Sequence, residues 1–322
     1  MTTSFTCRIC GTTHATKLVV REMMYGTRDT FDYYQCESCQ CLQIADIPED
    51  IARYYPANYY SYDQKRKKKR FLRDFTRKHR NLYAIEKKGV LGALLCTLKE
   101  PASLFRVYGR LGLTRTSTFL DVGGGDGRHV AELQELGFTN AMAVDPFIAG
   151  DVMEDGRLVA KKGTLFDLNE PYDLIAFHHS FEHMHPPRDI LEKAHNLLKP
   201  GGSVLLRIPT VTSEAFETYG ANWSDLDAPR HFYLHSHDSI QLLAEQAGFK
   251  VIDLWCDSNA FQFWASEQYA QDIPLNDPRS HTQPPIPPMF TSDQMAQFEA
   301  KAQTLNAQMR GDAICVWLKP AR

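Results

Sequence analysis

The sequence predicts an α/β chain built on a doubly wound, mostly parallel sheet, and two observations at its centre point there. A short apolar run over 118–122 leads through Gly123, Gly125 and Gly127 into Val130, Leu133 and Leu136 at helical spacing, a strand, tight turn and helix start. A second strand over 141–144 ends in Asp145, about 20 residues past the turn, the interval of a doubly wound unit. Strand and helix patterns alternate beyond it: a third strand before Gly163, a strand at 173–177, a helix at 187–198 and a strand at 203–208. A helix from Ser236 as N-cap to Gly248, a strand at 250–255 and a last strand at 313–318 bring the strands to seven.

The glycines imply unusual backbone angles and a ligand that approaches the main chain more closely than a Cβ permits. A dinucleotide fingerprint requires its third glycine at position 128, which is Arg128, so the pattern here is D-x-G-x-G-x-G. That pattern resembles motif I of the class I S-adenosylmethionine-dependent methyltransferases. The run LLKPGG at 197–202 followed by SVLLRIP is similar to the helix, turn and fifth strand of the same family. The resemblance implies a seven-stranded Rossmann-like methyltransferase domain over 113–322, with residues 261–310 inserted before the last strand, and S-adenosylmethionine as cofactor. Its contacts fall by implication on Asp121, Gly123, Gly125, Asp126 and Gly127, with Asp145 and Pro146 at the ribose, Thr164 and Leu165 at the adenine, and His179 after the fourth strand. Family members often have an acid where this chain has Thr164. An unrelated nucleotide-binding α/β domain is the competing reading, disfavoured by three motifs in the right order.

A chain of 322 residues suggests about two domains. The net charge of −3 conceals an asymmetry, since residues 65–110 carry fifteen Lys or Arg against Asp74, Glu86 and Glu100. Near the N-terminus, Cys7-x-x-Cys10 and Cys36-x-x-Cys39 offer four thiolates on two tight turns, the donor set of a Zn²⁺ ribbon over 1–45. Two such pairs so close together fit a metal better than a redox or disulfide pairing. Cys41 is a competing ligand, although only Cys39 repeats the spacing of the first pair. Four thiolates fill a tetrahedral shell, so the expected role is structural.

Residues 46–112 form a helical linker or lid in this reading. Tyr54, Tyr55, Tyr59, Tyr60 and Tyr62 suit packing more than ligand stacking. KRKKKR at 65–70 heads a helical segment; such a run usually marks a solvated helix face or loop, and the apolar residues that follow it also suit a contact of residues 65–80 with an anionic surface, phospholipid or RNA. No apolar run reaches the roughly 18 residues of a membrane span. The polar N-terminus lacks a signal-peptide pattern, so a cytoplasmic or membrane-peripheral protein is expected.

Two histidine-rich stretches follow strands four and five. In HHSFEHMHPP at 178–187, His179 and His183 flank Glu182, which by spacing alone suggests a second metal site. The resemblance gives a plainer account, because an E-H pair there forms the active-site floor near the methyl donor, with His183 as reserve base. His178, His185 and His195 are read as structural. In WSDLDAPRHFYLHS at 223–236, the loop that in this family faces the acceptor, His231 is the candidate general base. Arg230 could bind an anionic acceptor group, and Trp223 or Tyr233 could stack on a ring.

A ribbon joined to such a domain with a histidine in this loop is similar to sugar C-methyltransferases of deoxysugar biosynthesis and to methyltransferases of polysaccharide assembly. The C-methyltransferases carry a further α/β domain and usually an acid before the loop histidine, whereas this sequence stops at Arg322 and has Arg230. The expected reaction is therefore methyl transfer to oxygen or carbon of a sugar, nucleotide sugar or lipid-linked glycan. The alternative is an RNA methyltransferase using the ribbon and basic segment, against which stand the acidic remainder of the chain and the lack of an N-P-P-Y motif after strand four. A non-enzymatic scaffold is the third reading, disfavoured by the intact Asp121, Gly123, Gly125 and Asp145.

Overall fold

The computed structural model describes residues 5–55, 71–282 and 288–321. In chain order the elements are β1 (Ala15–Arg21), β2 (Thr30–Cys36), β3 (Leu42–Ile44), α1 (Phe71–Glu86), α2 (Val90–Leu98), α3 (Ser103–Arg110), β4 (Phe119–Val122) and α4 (Arg128–Glu135). There follow β5 (Ala141–Asp145), β6 (Val152–Glu154), β7 (Arg157–Lys162), β8 (Tyr172–His178), α5 (Pro187–Asn196), β9 (Leu198–Pro209) and α6 (Glu214–Tyr219). The remainder is β10 (Tyr233–Leu234), α7 (His237–Gln246), β11 (Phe249–Cys256), α8 (Phe261–Ala270), α9 (Ser292–Ala307) and β12 (Ala313–Pro320). The basic run at 65–70, Tyr59, Tyr60, Tyr62 and the prolines at 284, 285 and 287 lie outside the described residues.

The chain divides into two compact units that are not sequential: one takes its residues from 1–56, 179–195 and 206–322, the other from 57–178 and 196–205. The boundaries expected at 45/46 and 112/113 do not coincide with this division.

In the second unit the strand order is β9-β8-β4-β5-β7-β6. β4 runs parallel to both β8 and β5, and β5 parallel to β7. Such strands are covered on both faces, which is why β4 is buried at all four residues and reads as a continuous apolar run broken only by Asp121. The seven strands of the sequence reading are present, and an eighth, β6, pairs antiparallel with β7 across Asp155-Gly156. Both turn residues have positive φ, 47° and 76°, the conformation that Asp-Gly hairpins favour. β9 begins at Leu198, five residues earlier than expected. Gly202 lies so close to β8 that a Cβ there would stand 3.0 Å from the Tyr172 carbonyl oxygen.

Helices α1 to α3 belong to the same unit. Leu104, Phe105, Val107 and Tyr108 on α3 are buried, and the Tyr108 ring meets Phe119 of β4 edge-on at 5.2 Å. Tyr108 also pairs its hydroxyl with His178 Nε2 at 2.9 Å, giving that histidine the structural role expected of it. Arg77 on α1 donates to Glu132 on α4 at 2.9 Å. The last part of the expected linker is thus core.

In the first unit, β1, β2, β3 and β10 form a four-stranded antiparallel sheet. Seven-residue strands account for the long spacing between the two cysteine pairs. β11 and β12 pair antiparallel. α7 starts as its sequence signals, with Ser236 Oγ accepting from Ser239 N. The 261–310 insertion supplies α8 and α9, joined by a cluster of Phe263, Ala302 and Leu305. His195 packs edge-on against Phe249 at 5.1 Å.

The contact between α1 and α3 is made at Gly109, where an added Cβ would collide with the Ala84 carbonyl oxygen and press on Ile85. Gly109→Ala is expected to destabilise the protein by about 1–3 kcal/mol despite the better helix propensity of alanine, measured by urea unfolding.

Candidate active site and four-cysteine centre

Three adjacent parallel strands end at one level in the second unit. Gly123 N donates to Val144 O at 2.8 Å, and Gly163 N donates to Asp145 O at 3.1 Å, so the loops after β4, β5 and β7 start side by side. The turn from β4 into α4 passes through Gly123, Gly125 and Gly127 with φ of 73°, 56° and 75°, where a side chain is strained. At Gly127 a Cβ would also stand 2.6 Å from Val159 Cγ1. Gly124, missed in the sequence reading, is required for closeness instead: a Cβ there would lie 2.9 Å from both Ala143 Cβ and the Asp121 carboxylate. Asp121 is buried beneath this turn, Asp126 half-buried and Pro146 exposed.

Asp145 is 5% exposed, and burial raises its pKa against two backbone donors, Gly125 N at 2.9 Å and Phe147 N at 2.8 Å. Each oxygen holds one N–H and keeps a lone pair for a further donor, which fits a ribose diol. Thr164 caps a short 3₁₀ turn, donating both its N–H and its hydroxyl to Asp167 Oδ2 at 2.7 and 2.8 Å, with Leu165 buried behind it. The acid of this corner is therefore three residues beyond Thr164. A glycine turn without Cβ atoms, a carboxylate with open lone pairs and a buried leucine fit S-adenosylmethionine.

In the first unit, the four Sγ atoms of Cys7, Cys10, Cys36 and Cys39 lie within 4.8 Å of one another. The pairs Cys7–Cys39 and Cys10–Cys36 are 3.6 and 3.4 Å apart, close to the edge of roughly 3.8 Å in a tetrahedral Zn–thiolate shell. Ile9 N and Cys39 N donate to Cys7 and Cys36 Sγ at 3.4 and 3.5 Å, and Gln43 Nε2 reaches Cys7 Sγ at 2.9 Å. Donors aimed at sulfur favour thiolates, so the cluster is compatible with a zinc ribbon. Gln43 escaped the sequence reading; its signal is an amide inside a fully buried three-residue strand. Cys41 is outside the cluster, with Sγ 3.8 Å from His235 Nδ1.

His179, His183 and His231 also belong to the first unit. His231 is 8% exposed, and its Nδ1 lies 2.7 Å from the Asp225 carbonyl oxygen. A carbonyl only accepts, so Nδ1 carries the proton and Nε2 the free lone pair. Nε2 is 3.9 Å from both Glu182 Oε1 and Asp227 Oδ2, and the ionised Asp227 would stabilise an imidazolium. His183 repeats the arrangement, with Nδ1 2.8 Å from the Arg230 carbonyl oxygen and its ring centroid 4.6 Å from that of His231. Burial lowers the pKa of His231 and takes that of His183 down to about 3. His179 sits at φ 50° with Nδ1 3.7 Å from Glu182 Oε1. Glu182 is fully buried, its carboxylate has no hydrogen-bond partner among the described residues, and burial pushes its pKa up to about 8. Glu182, His183 and His231 each bring a ligand atom within 4.8 Å of the others, so the N,N,O donor set of a cation site and a proton-transfer cluster coincide here, without His179.

The roles suggested for Arg230, Trp223 and Tyr233 need correction. Arg230 is fully buried and spends four of its five N–H donors on Asp227 at 2.9 and 2.5 Å, Glu22 Oε1 at 2.9 Å and the Tyr54 carbonyl at 3.1 Å, so it is not offered to an acceptor anion. Burial works to raise the Asp227 pKa, and the Arg230 charge outweighs it and holds the group ionised. Glu22 lies in the β1–β2 connection and also accepts from Tyr25 N and Thr27 N. Trp223 is buried with Nε1 on Asp312 at 3.0 Å, and Tyr233 hydrogen-bonds His185 at 2.6 Å, so neither ring is offered to a ligand. Removing Arg230 would leave two carboxylates buried without their counter-charge. Arg230→Ala is expected to cost about 3–5 kcal/mol in urea unfolding, and Glu22→Gln distinctly less because Asp227 still pairs with the guanidinium.

Solved structures of methyltransferases are similar to this chain at low identity. A chain of the Haloferax volcanii complex of the Trm112 methyltransferase activator is 14% identical, with 76% of this chain and 98% of that one covered, at a TM-score of 0.45. A SAM dependent methyltransferase from Archaeoglobus fulgidus is 16% identical over 70% and 98%, at 0.41. An S-adenosylmethionine-dependent methyltransferase from Clostridium acetobutylicum is 12% identical over 68% and 89%, at 0.39. No curated protein sequence matches the chain. The family model described as a methyltransferase domain matches residues 93–254, just over half of the chain, and the chain therefore belongs to that family of S-adenosylmethionine-dependent enzymes.

Proposed function

We propose that this methyltransferase acts on oxygen or carbon of a sugar, nucleotide sugar or lipid-linked glycan, with His231 as general base and a structural Zn²⁺ on Cys7, Cys10, Cys36 and Cys39. One observation carries the reading: the ribbon and the His231 loop are a single piece of structure. β10 pairs with β3, Tyr33 donates its hydroxyl to the His231 carbonyl at 2.8 Å, and Ser236 Oγ donates to the Cys39 carbonyl at 2.6 Å. A ribbon that fixes an acceptor-facing histidine is the combination that resembles the sugar and polysaccharide methyltransferases.

S-adenosylmethionine, when bound, supplies an electrophilic methyl group on a sulfonium. The chain's own tasks are to hold the donor on the glycine turn, Asp145 and the Thr164–Leu165 corner, and to orient the acceptor. His231 Nε2 takes the proton of the attacking hydroxyl or carbon acid, while the Asp225 carbonyl fixes the tautomer and the ionised Asp227 stabilises the resulting charge. His183 is the second base of the cluster.

The test is a methylation screen over nucleotide sugars and glycan extracts, with bulk RNA as the control acceptor. His231→Ala is expected to lower kcat by about 10²-fold or more on the true acceptor; unchanged turnover, or transfer to RNA alone, would overturn the assignment. The active form is the neutral imidazole and burial lowers its pKa, so activity is retained as the pH falls past the ordinary imidazole value of about 6.5 and is lost only below the lowered pKa. For the ribbon, one equivalent of zinc per chain is expected by elemental analysis, and Cys10→Ser is expected to lower both zinc content and melting temperature.

A further inference from the structure

The surface of α1 and α2 in the second unit exposes a row of large apolar side chains. On α2, Val90, Leu91, Leu94 and Leu98 are 88%, 43%, 59% and 78% exposed, and they recur at the spacing of one helix face. The opposite side is held by Gly92, where a Cβ would meet the His79 carbonyl oxygen and Tyr83 Cβ at 2.7 Å, so α2 rests on α1 with its leucines outward. On α1, Leu72 and Phe75 are 76% and 42% exposed. Cations surround these residues: Lys87 and Lys88 precede α2, Lys99 follows it, and Arg73 and Lys78 are exposed on α1. The acids of this stretch are Asp74, Glu86 and Glu100, of which Glu86 is already paired with Arg115 at 2.5 Å and Glu100 with Arg106 at 2.7 Å. In sequence, KRKKKR at 65–70 directly precedes α1.

We propose that the outward face of α2, with Leu72 and Phe75 of α1, inserts into the headgroup layer of a bilayer containing anionic phospholipid. The helix spans only 90–98, and no helix among the described residues is long and apolar enough to cross a membrane, so the mode is interfacial. Charge selects the occupant. A second copy would bring the same basic rim against this one and repel it, whereas phosphate headgroups neutralise it as the leucines leave water. The inference rests on the glycan reading and deepens it, because an acceptor on a lipid carrier is presented at such a surface.

The experiment is co-sedimentation of the full-length protein with vesicles of phosphatidylcholine alone and of phosphatidylcholine mixed with phosphatidylglycerol, accompanied by calorimetry with S-adenosylmethionine. Binding is expected to be at least about tenfold stronger to the anionic vesicles and to weaken as salt rises. Leu94→Ser/Leu98→Ser is expected to reduce it about tenfold or more while leaving donor affinity unchanged, since both side chains are already in water. No sedimentation with anionic vesicles at low salt, or equal binding by the double variant, would overturn the inference. So would a wild-type dimer that the double variant converts to monomer, which would assign the face to a second copy. Heat on donor addition without vesicle binding would sink this proposal alone, whereas absence of donor heat would sink the methyl-transfer reading.

Discussion

The first unit depends on one buried charge. Arg230 has no exposed surface, and its guanidinium joins Glu22 of the β1–β2 connection to Asp227 of the histidine loop. The desolvation of three ionised groups is recovered only if every hydrogen bond is made, so the arrangement tolerates one geometry. That geometry fixes the backbone from Asp227, which has φ 35°, through His231, whose own N–H bonds the Asp227 carbonyl at 3.3 Å. The four-cysteine segment is then more than an appendage. It holds the other half of an ion network that sets where the candidate base stands.

The same logic explains the polarity of the histidine cluster. His183 and His231 each donate Nδ1–H to a main-chain carbonyl of their own unit, from Arg230 and Asp225, so both rings expose the same nitrogen. Around them, Glu182 has been buried without a hydrogen-bond donor among the described residues, burial raises both Asp225 and Asp312, and the neighbouring Asp312 raises Asp225 further. A protein interior carries such groups at a cost, and they gather where protons or cations are handled. Asp227 alone is held ionised, by Arg230, and it lies 3.9 Å from the nitrogen that would receive the proton.

The legible features were those written in local spacing. The glycine turn, the acid ending the next strand, the paired cysteines and the helix caps at Ser236 and Gly248 each occupy a few consecutive residues. Features built from distant partners were not. Glu22 and Arg230 are 208 residues apart, and Gln43 and Cys7 are 36 apart, so no periodicity links them. Gly124 was hidden among its neighbours because its need is for space rather than for a positive φ. Within 65–110 the density of basic residues hides the apolar face of α3, where Leu104, Phe105, Val107 and Tyr108 are buried. Arg230 reads in sequence as a ligand-binding cation because a sequence cannot tell a guanidinium that faces water from one already matched by two acids.

β9 is twelve residues long, and the division between the units falls within it, after Leu205. Neither half of the enzyme can be excised with its hydrogen-bonded edge complete, and the first unit would also lose the connections between its three separated stretches of chain. A cut placed at this division therefore runs through a strand rather than between two finished modules.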